Sequence, residues 1–129
     1  MSLCWVCIEM PKTILVADDN PAIRKALCEM FEKEEDYDIC AEAVNGEEAI
    51  TLAMKHKPDL IILDLSMPIM NGLDAARELK RIMPEIPIIL FTVHAEKVRN
   101  TSIDLPVDRV VEKTGGPKLI NHVRSLIPV

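Results

Sequence analysis

Five short aliphatic runs alternate with amphipathic stretches along the chain, and this alternation restricts its fold more than any other feature. The third and fourth runs are apolar nearly throughout, as expected of strands buried on both faces of a sheet. Such runs separated by helical stretches are typical of a parallel sheet with helices on both faces. The runs are Thr13–Ala17, Ile39–Val44, Leu60–Leu63, Ile86–Phe91 and Arg109–Glu112.

The stretches between the runs carry signals that begin and end helices. Asn20-Pro21 is an N-cap followed by proline at the first helical position. Asn45-Gly46-Glu47-Glu48 is similar to a capping box with Asn in the place of Ser or Thr. Pro58 and Pro84 end the second and third stretches, and Pro117 opens the last. Apolar residues at helical spacing predict the inward face of the first helix, namely Ile23, Ala26, Leu27, Met30 and Phe31.

A chain of 129 residues has room for one domain. Its 49% hydrophobic residues can form a core at this size. Residues 1–12 predict an irregular lead-in and residues 13–129 the folded domain. The fourth amphipathic stretch, from Ala95 to Thr101, is polar and lacks an apolar stripe. It is the weakest of the predicted helical segments.

Charge and composition exclude several classes of function. The 15 basic and 21 acidic residues give a net charge of −6, so the chain lacks the basic surface that nucleic-acid binding requires. Aromatic residues make up only 3%, which leaves few stacking platforms for bases or sugars. No uncharged apolar stretch approaches the roughly 18–20 residues of a membrane span. The segment Ser2–Ile8 lacks the basic region of a signal peptide, and we expect a cytoplasmic protein with reduced thiols.

The four cysteines do not predict a functional site. Cys4 and Cys7 have the spacing of a redox motif, but they precede the first strand, whereas a thioredoxin-like motif follows a strand. Cys28 and Cys40 fall on a helix and a strand, where we expect small, buried or partly buried apolar residues.

Polar side chains stand where four of the five strands end. Asp18 and Asp19 follow the first run, Asp64 the third, Thr92 the fourth and Lys113 the fifth. Each residue alone is compatible with a turn or a surface charge. In open α/β sheets, however, the carboxyl ends of parallel strands share one edge, and ligands bind there. Their joint placement therefore predicts a site.

These groups suit metal-assisted phosphoryl transfer. Clustered carboxylates raise each other's pKa or recruit a cation, and ligands that are all oxygen describe Mg²⁺. A zinc site would need more His or Cys. One carboxylate oxygen could attack phosphorus in line while Lys113 pairs with a phosphoryl oxygen and Thr92 bonds another.

The same residues carry a family resemblance. The chain resembles the receiver domain of two-component response regulators over residues 13–129. The residues around Asp64 and the turn Asn45–Ala49 look most like receivers that precede a LuxR/NarL-type helix-turn-helix domain. The segments that carry the resemblance are Ile14–Asn20, Ile61–Leu73, Ile88–Thr92 and Val111–Lys113.

The resemblance implies a flavodoxin-like, doubly wound (βα)5 sandwich with a parallel sheet in the order 2-1-3-4-5. Asp64 would accept a phosphoryl group from a histidine kinase or phosphotransfer protein. Asp19, Asp64 and the carbonyl of Ser66 would bind Mg²⁺ directly, and Asp18 mainly through water. The chain would catalyse only its own phosphorylation and dephosphorylation.

The resemblance also assigns a switch, with three departures from the family's pattern. Thr92 would be the switch hydroxyl and Lys113 the ammonium that pairs with phosphate. Val110 stands where the family has an aromatic switch residue. Val93 stands where the family has a small residue, and its bulk predicts slower phosphoryl access or hydrolysis. Thr114 stands in the place of a proline that would form a cis bond.

Other interpretations remain open. A phosphorylation-independent interaction module on the same fold is the main alternative. A flavin or nucleotide binder and a haloacid-dehalogenase phosphatase are further alternatives, but the sequence lacks the motif expected of each. The chain ends just after the fifth helix, and we expect a fragment of a transcriptional regulator rather than a stand-alone protein. Phosphorylation would then promote dimerisation, and an absent domain would contact DNA. The exposed face of the first helix, with Arg24 and Lys25, predicts a rim for kinase docking.

Overall fold

The computed structural model describes residues 10–101 and 104–129. Within these residues, five parallel strands form one sheet in the order β2-β1-β3-β4-β5, with a helix after each strand. This is the flavodoxin-like doubly wound fold that the resemblance implied. In chain order the elements are β1 (Lys12–Ala17), α1 (Pro21–Glu32), β2 (Tyr37–Ala43), α2 (Gly46–His56), β3 (Leu60–Leu63), α3 (Gly72–Ile82), β4 (Ile88–Thr92), α4 (Ala95–Arg99), β5 (Arg109–Glu112) and α5 (Gly116–Leu126).

Two apolar cores lie on opposite faces of the sheet. Successive side chains of a strand point to opposite faces. Leu15 and Ala17 of β1 accordingly belong to the core beneath α2 and α3, whereas Ile14 and Val16 belong to the core beneath α1 and α5. All four residues of β3 are buried, as its apolar run predicted.

Asparagine side chains begin the first three helices at the carboxyl edge of the sheet. The Asn20 side chain accepts the N–H of Ala22 at 2.9 Å, and Pro21 follows as predicted. Asn45 accepts the N–H of Glu48 at 2.7 Å, and the Glu48 carboxylate accepts the N–H of Val44 at 3.1 Å. The capping box is therefore present, with its return bond one residue earlier than usual. Asn71 caps α3 by accepting the N–H of Asp74 at 2.9 Å.

Several boundaries differ from the sequence expectation. β1 begins at Lys12 because its N–H donates to the Asp36 carbonyl at 2.9 Å, which adds one residue of the predicted lead-in to the sheet. β4 begins at Ile88, two residues late, and extends to Thr92. Ala26, expected on the inward face of α1, is exposed. α4 is five residues long, in agreement with its weak pattern.

The cysteine expectations divide between described and undescribed residues. Cys28 and Cys40 are partly buried free thiols, as predicted. Burial, together with the nearby Glu42 carboxylate, raises the pKa of the Cys28 thiol to about 11. Cys4 and Cys7 lie outside the described residues, as does most of the predicted lead-in. None of the described helices combines the length and the apolar character of a membrane span.

The loop between β3 and α3 contains a tight turn and is hydrogen-bonded to the starts of α2 and α3. The Met70 N–H donates to the Pro68 carbonyl at 2.7 Å, around an Ile69 with a φ of 69°. This γ-turn is strained for a β-branched residue, and the Ile69 side chain is 77% exposed. The N–H groups of Gly46 and Gly72 donate to the carbonyls of Met70 and Leu65, both at 2.9 Å. These bonds tie the starts of two helices to the loop.

Gly72 lies against the backbone that carries Asp64. A Cβ atom at residue 72 would stand 2.1 Å from the Asp64 carbonyl oxygen, so any side chain there forces backbone movement. The approach of α3 to the end of β3 therefore requires glycine.

We expect Gly72→Ala to destabilise the fold by roughly 2–3 kcal/mol through this clash, measured by urea unfolding. Gly116→Ala is the matched control, because its Cβ would meet only the flexible end of Met30 at 3.3 Å. The control should unfold within about 1 kcal/mol of the native protein. Equal unfolding midpoints for the two variants would contradict the close-approach argument.

Candidate functional site

Strand register brings the predicted carboxylates together. Ala17 of β1 lies opposite Leu63 of β3, so Asp18 and Asp64 are each one residue beyond a paired position on adjacent strands. Carboxylate oxygens of Asp18, Asp19 and Asp64 all lie within 4.8 Å of one another. Asp18 and Asp64 are buried, whereas Asp19 is exposed. Three acids thus form one open cluster at the carboxyl edge.

The Lys113 ammonium lies between two of these acids. Its Nζ is 2.8 Å from Oδ2 of Asp18 and 3.2 Å from Oδ1 of Asp64. The Lys113 N–H donates to the Thr92 carbonyl at 3.1 Å, which fixes the backbone just beyond β5. One ammonium therefore offsets part of the charge of three carboxylates.

Backbone bonds hold the turn after β1. The Asp18 N–H donates to the Ala43 carbonyl at 3.0 Å, and Oδ1 of Asp18 accepts the N–H of Asn20 at 2.9 Å. The Asp18 carbonyl accepts a bond from the Arg24 guanidinium at 2.6 Å. Asp18 is therefore fixed at its amide, its carbonyl and both carboxylate oxygens.

Burial and charge shift two titrating groups of the site. Burial raises the pKa of the Asp64 carboxyl, the charge of Asp18 raises it further, and Lys113 only partly opposes the rise. Burial alone would lower the pKa of Lys113, but its hydrogen bond to Asp18 and the charge of Asp64 outweigh this effect and raise it. Asp64 is thus a carboxylate whose charge is costly, and Lys113 remains an ammonium.

Two predicted residues stand at the rim of the cluster. Thr92 is buried, and its hydroxyl accepts the N–H of the exposed His94 at 3.1 Å. Val93 between them is 58% exposed. Ser66 is exposed, two residues beyond Asp64 in the loop that leads to α3. Their roles as switch hydroxyl and metal-binding carbonyl stay predictions.

The donor set fits a hard divalent cation. The three clustered side chains offer only oxygen atoms, which is the chemistry that Mg²⁺ prefers, and a single ammonium leaves the cluster with excess negative charge. Among the residues that the structure describes, Asp18, Asp19 and Asp64 could hold such an ion.

The prediction that Arg24 is exposed was wrong. We expected it on the exposed face of α1 beside Lys25, but its side chain is only 17% exposed and lies 3.4 Å from the Glu42 carboxylate. Lys25 is exposed as predicted. The pairing could have been suspected from the sequence, because Arg24 lies one turn into α1 and Glu42 lies near the end of β2, the strand beside β1.

Comparison with known proteins identifies the family. The family model for the response regulator receiver domain matches residues 14–124. The chain belongs to this family. Its strand order and acidic edge therefore belong to a receiver, as the sequence resemblance implied.

The receiver is similar to regulators of known name. It is 46% identical over 85 residues to the transcriptional regulatory protein PdtaR of Mycobacterium tuberculosis, covering 64% of this chain and 41% of that protein. The response regulator TrrA of Thermotoga maritima, solved in complex with Mg(2+)-BeF, is 36% identical with a TM-score of 0.81, covering 90% of this chain and 99% of that one. A LuxR-family regulator from Staphylococcus aureus is 26% identical with a TM-score of 0.76, covering 89% and 98%.

The receiver spans only part of its curated relatives. It aligns with about two-fifths of PdtaR and with 21–24% of several protein-glutamate methylesterases. Similar receivers therefore occur in proteins with different names and additional sequence.

We expect Asp64→Asn to raise the free energy of unfolding of this receiver at neutral pH in EDTA. The raised pKa means that the folded state holds the Asp64 proton more tightly than the unfolded state does. The contribution of this proton to the free energy of unfolding is fully present below the ordinary carboxyl pKa of about 4. It is lost as pH rises through the pKa of Asp64 in the folded state. The difference between variant and native protein should thus shrink on acidification.

Urea unfolding across this pH range measures the effect. Asp74→Asn is the control, because Asp74 is 56% exposed and paired with Arg77. An Asp64→Asn variant less stable than the native protein at neutral pH would show that the ion pair with Lys113 outweighs burial.

Proposed function

We propose that this receiver is a phosphoacceptor switch that takes a phosphoryl group on Asp64 from a histidine kinase or phosphotransfer protein. The observation that carries the proposal is the Asp64 carboxylate at the open edge, contacted by Lys113 and flanked by Asp18 and Asp19. The reaction is expected to require Mg²⁺.

Asp64 supplies the nucleophile. Lys113 contacts Oδ1 of Asp64 and orients the carboxylate, which leaves Oδ2 free to attack phosphorus. The new O–P bond forms as the N–P bond of a phosphohistidine breaks. The electron pair of that bond stays on the departing imidazole nitrogen, which takes a proton from solvent water. When bound, Mg²⁺ offsets the negative charge of the phosphoryl oxygens.

The contacts of Asp18 support its assignment as an indirect metal ligand. Both of its carboxylate oxygens already accept bonds, one from Asn20 and one from Lys113. We therefore assign direct binding to Asp19, Asp64 and the Ser66 carbonyl, and binding mainly through water to Asp18.

Lys113 and Thr92 then convert phosphorylation into a change of conformation. Lys113 gains a phosphoryl oxygen as a partner, and the Thr92 hydroxyl, which accepts the His94 N–H, can donate its own O–H to another phosphoryl oxygen. Charge-assisted bonds contribute roughly 1.5–3 kcal/mol each, and moving an equilibrium from 1:99 to 99:1 takes about 5.5 kcal/mol. The two groups supply most of this difference, so phosphorylation shifts an existing equilibrium.

The proposed output is control of transcription through a domain outside this chain. Similarity to PdtaR and to LuxR-family regulators supports this output, and similarity to methylesterases makes enzyme control the second candidate. We propose that the receiver acts in the cytoplasm, dimerises when phosphorylated and makes no direct contact with nucleic acid, in keeping with its charge of −6.

Incubation with a small-molecule acyl phosphate and Mg²⁺ should add one phosphoryl group to the native chain. Asp64→Asn should gain none because the attacking oxygen is absent, and EDTA should suppress the gain. Intact-mass spectrometry measures the addition, and Asp74→Asn, an exposed acid on α3, should label like the native protein.

A native chain that gains no mass under any condition would contradict the phosphoacceptor assignment. It would favour the alternative, a phosphorylation-independent protein-interaction module on the same fold, to which Val93 and Val110 give support.

Val93→Ala should shorten the lifetime of the aspartyl phosphate several-fold, because the smaller side chain beside Thr92 admits water to phosphorus. Loss of the phosphoryl mass with time measures the rate after the donor is removed. Val44→Ala, another exposed aliphatic residue directly after a strand, is the matched control. Equal lifetimes for both variants would show that Val93 does not limit hydrolysis.

A further inference from the structure

One arginine on α1 connects the metal-binding turn to a neighbouring strand. The Arg24 guanidinium donates from Nη1 to the Asp18 carbonyl at 2.6 Å, while its Nε lies 3.4 Å from Oε1 of Glu42 on β2. The Arg24 side chain is 17% exposed and that of Glu42 is 47% exposed. A largely covered guanidinium is thus paired with a carboxylate that does not belong to the acidic cluster.

We propose that Arg24 is a positioning residue for divalent-cation binding, held in place by Glu42. This inference rests on the proposed function, since it concerns the same metal site. Arg24 contacts the main chain of Asp18 and fixes the turn that carries the Asp18 and Asp19 carboxylates. Glu42, on β2, pairs with the guanidinium and holds it against that turn.

The geometry separates positioning from simple electrostatics. A positive charge near a cation site weakens cation binding, so removing Arg24 would strengthen Mg²⁺ binding if charge alone mattered. Loss of the bond to the Asp18 carbonyl removes one of the contacts that fix the turn, which lets the Asp18 and Asp19 carboxylates shift relative to Asp64. Groups that orient metal ligands typically contribute 10–100-fold to affinity. The positioning effect therefore has the opposite sign to the effect of charge, so the direction of the change in Mg²⁺ affinity distinguishes the two.

Isothermal titration of the metal-free chain with Mg²⁺ tests this inference. Arg24→Gln should weaken binding roughly tenfold. Arg24→Lys keeps the charge but loses the planar fork that reaches the Asp18 carbonyl and Glu42 together, and it should also weaken binding several-fold. Arg81→Gln is the control, since Arg81 is exposed, pairs with Glu78 and lies in the last turn of α3, towards the opposite edge of the sheet.

A second readout separates positioning from general damage to the fold. In acyl-phosphate labelling, the Mg²⁺ concentration for half-maximal rate should rise in both Arg24 variants, while the rate at saturating Mg²⁺ stays near that of the native chain. A variant damaged as a whole would lose the saturated rate too, which overturns the proposal.

The remaining outcomes are distinguishable. Unchanged or tighter Mg²⁺ binding by Arg24→Gln overturns the positioning role while leaving the metal site intact. A native chain that binds no Mg²⁺ overturns the metal site of the proposed function, and this inference with it. Weaker binding by both Arg24 variants, with Arg81→Gln unchanged, supports it.

Discussion

Repulsion among carboxylates is the constraint on which the candidate site depends. Asp18 and Asp64 directly follow adjacent central strands, where burial makes their charges costly and the sheet prevents them from moving apart. Lys113 reduces this cost by contacting both, and it comes from β5, two strands from β3. The acidic edge is therefore completed only when the far part of the sheet has formed. The same lysine that stabilises the acidic edge can pair with a phosphoryl oxygen when a phosphoryl group is added there.

The fold could be predicted because its signals are local and redundant. A run such as Leu60–Leu63 is apolar on both faces and has one stable environment, the middle of a sheet covered by helices. Asparagine caps and prolines mark the helix starts, and the structure places Asn20 and Asn45 as predicted. Because parallel strands end at one edge, the sequence pattern could place Asp18, Asp64 and Lys113 at the same edge of the sheet.

Side-chain direction could not be predicted in the same way. Arg24 was assigned to solvent because charged helix residues usually are, and only the position of Glu42 on the neighbouring strand reveals its partners. Ala26 lies at a spacing compatible with the apolar stripe but just outside its buried arc. The ends of β1 and β4 depended on backbone bonds, such as that from Lys12 to Asp36, which leave no mark in the sequence.

The two Asn-Gly pairs that cap α2 and α3 also affect how the protein ages. Deamidation at such pairs begins when the glycine nitrogen attacks the asparagine side-chain carbon to form a succinimide. Here the N–H groups of Gly46 and Gly72 are bonded to the carbonyls of Met70 and Leu65, and the Asn45 and Asn71 side chains are held by their caps. The nucleophile and the carbon it would attack are both restrained while the chain is folded. The hydrogen bonds that shape these turns therefore also slow deamidation at both Asn-Gly pairs. Deamidation there should proceed mainly from the unfolded state.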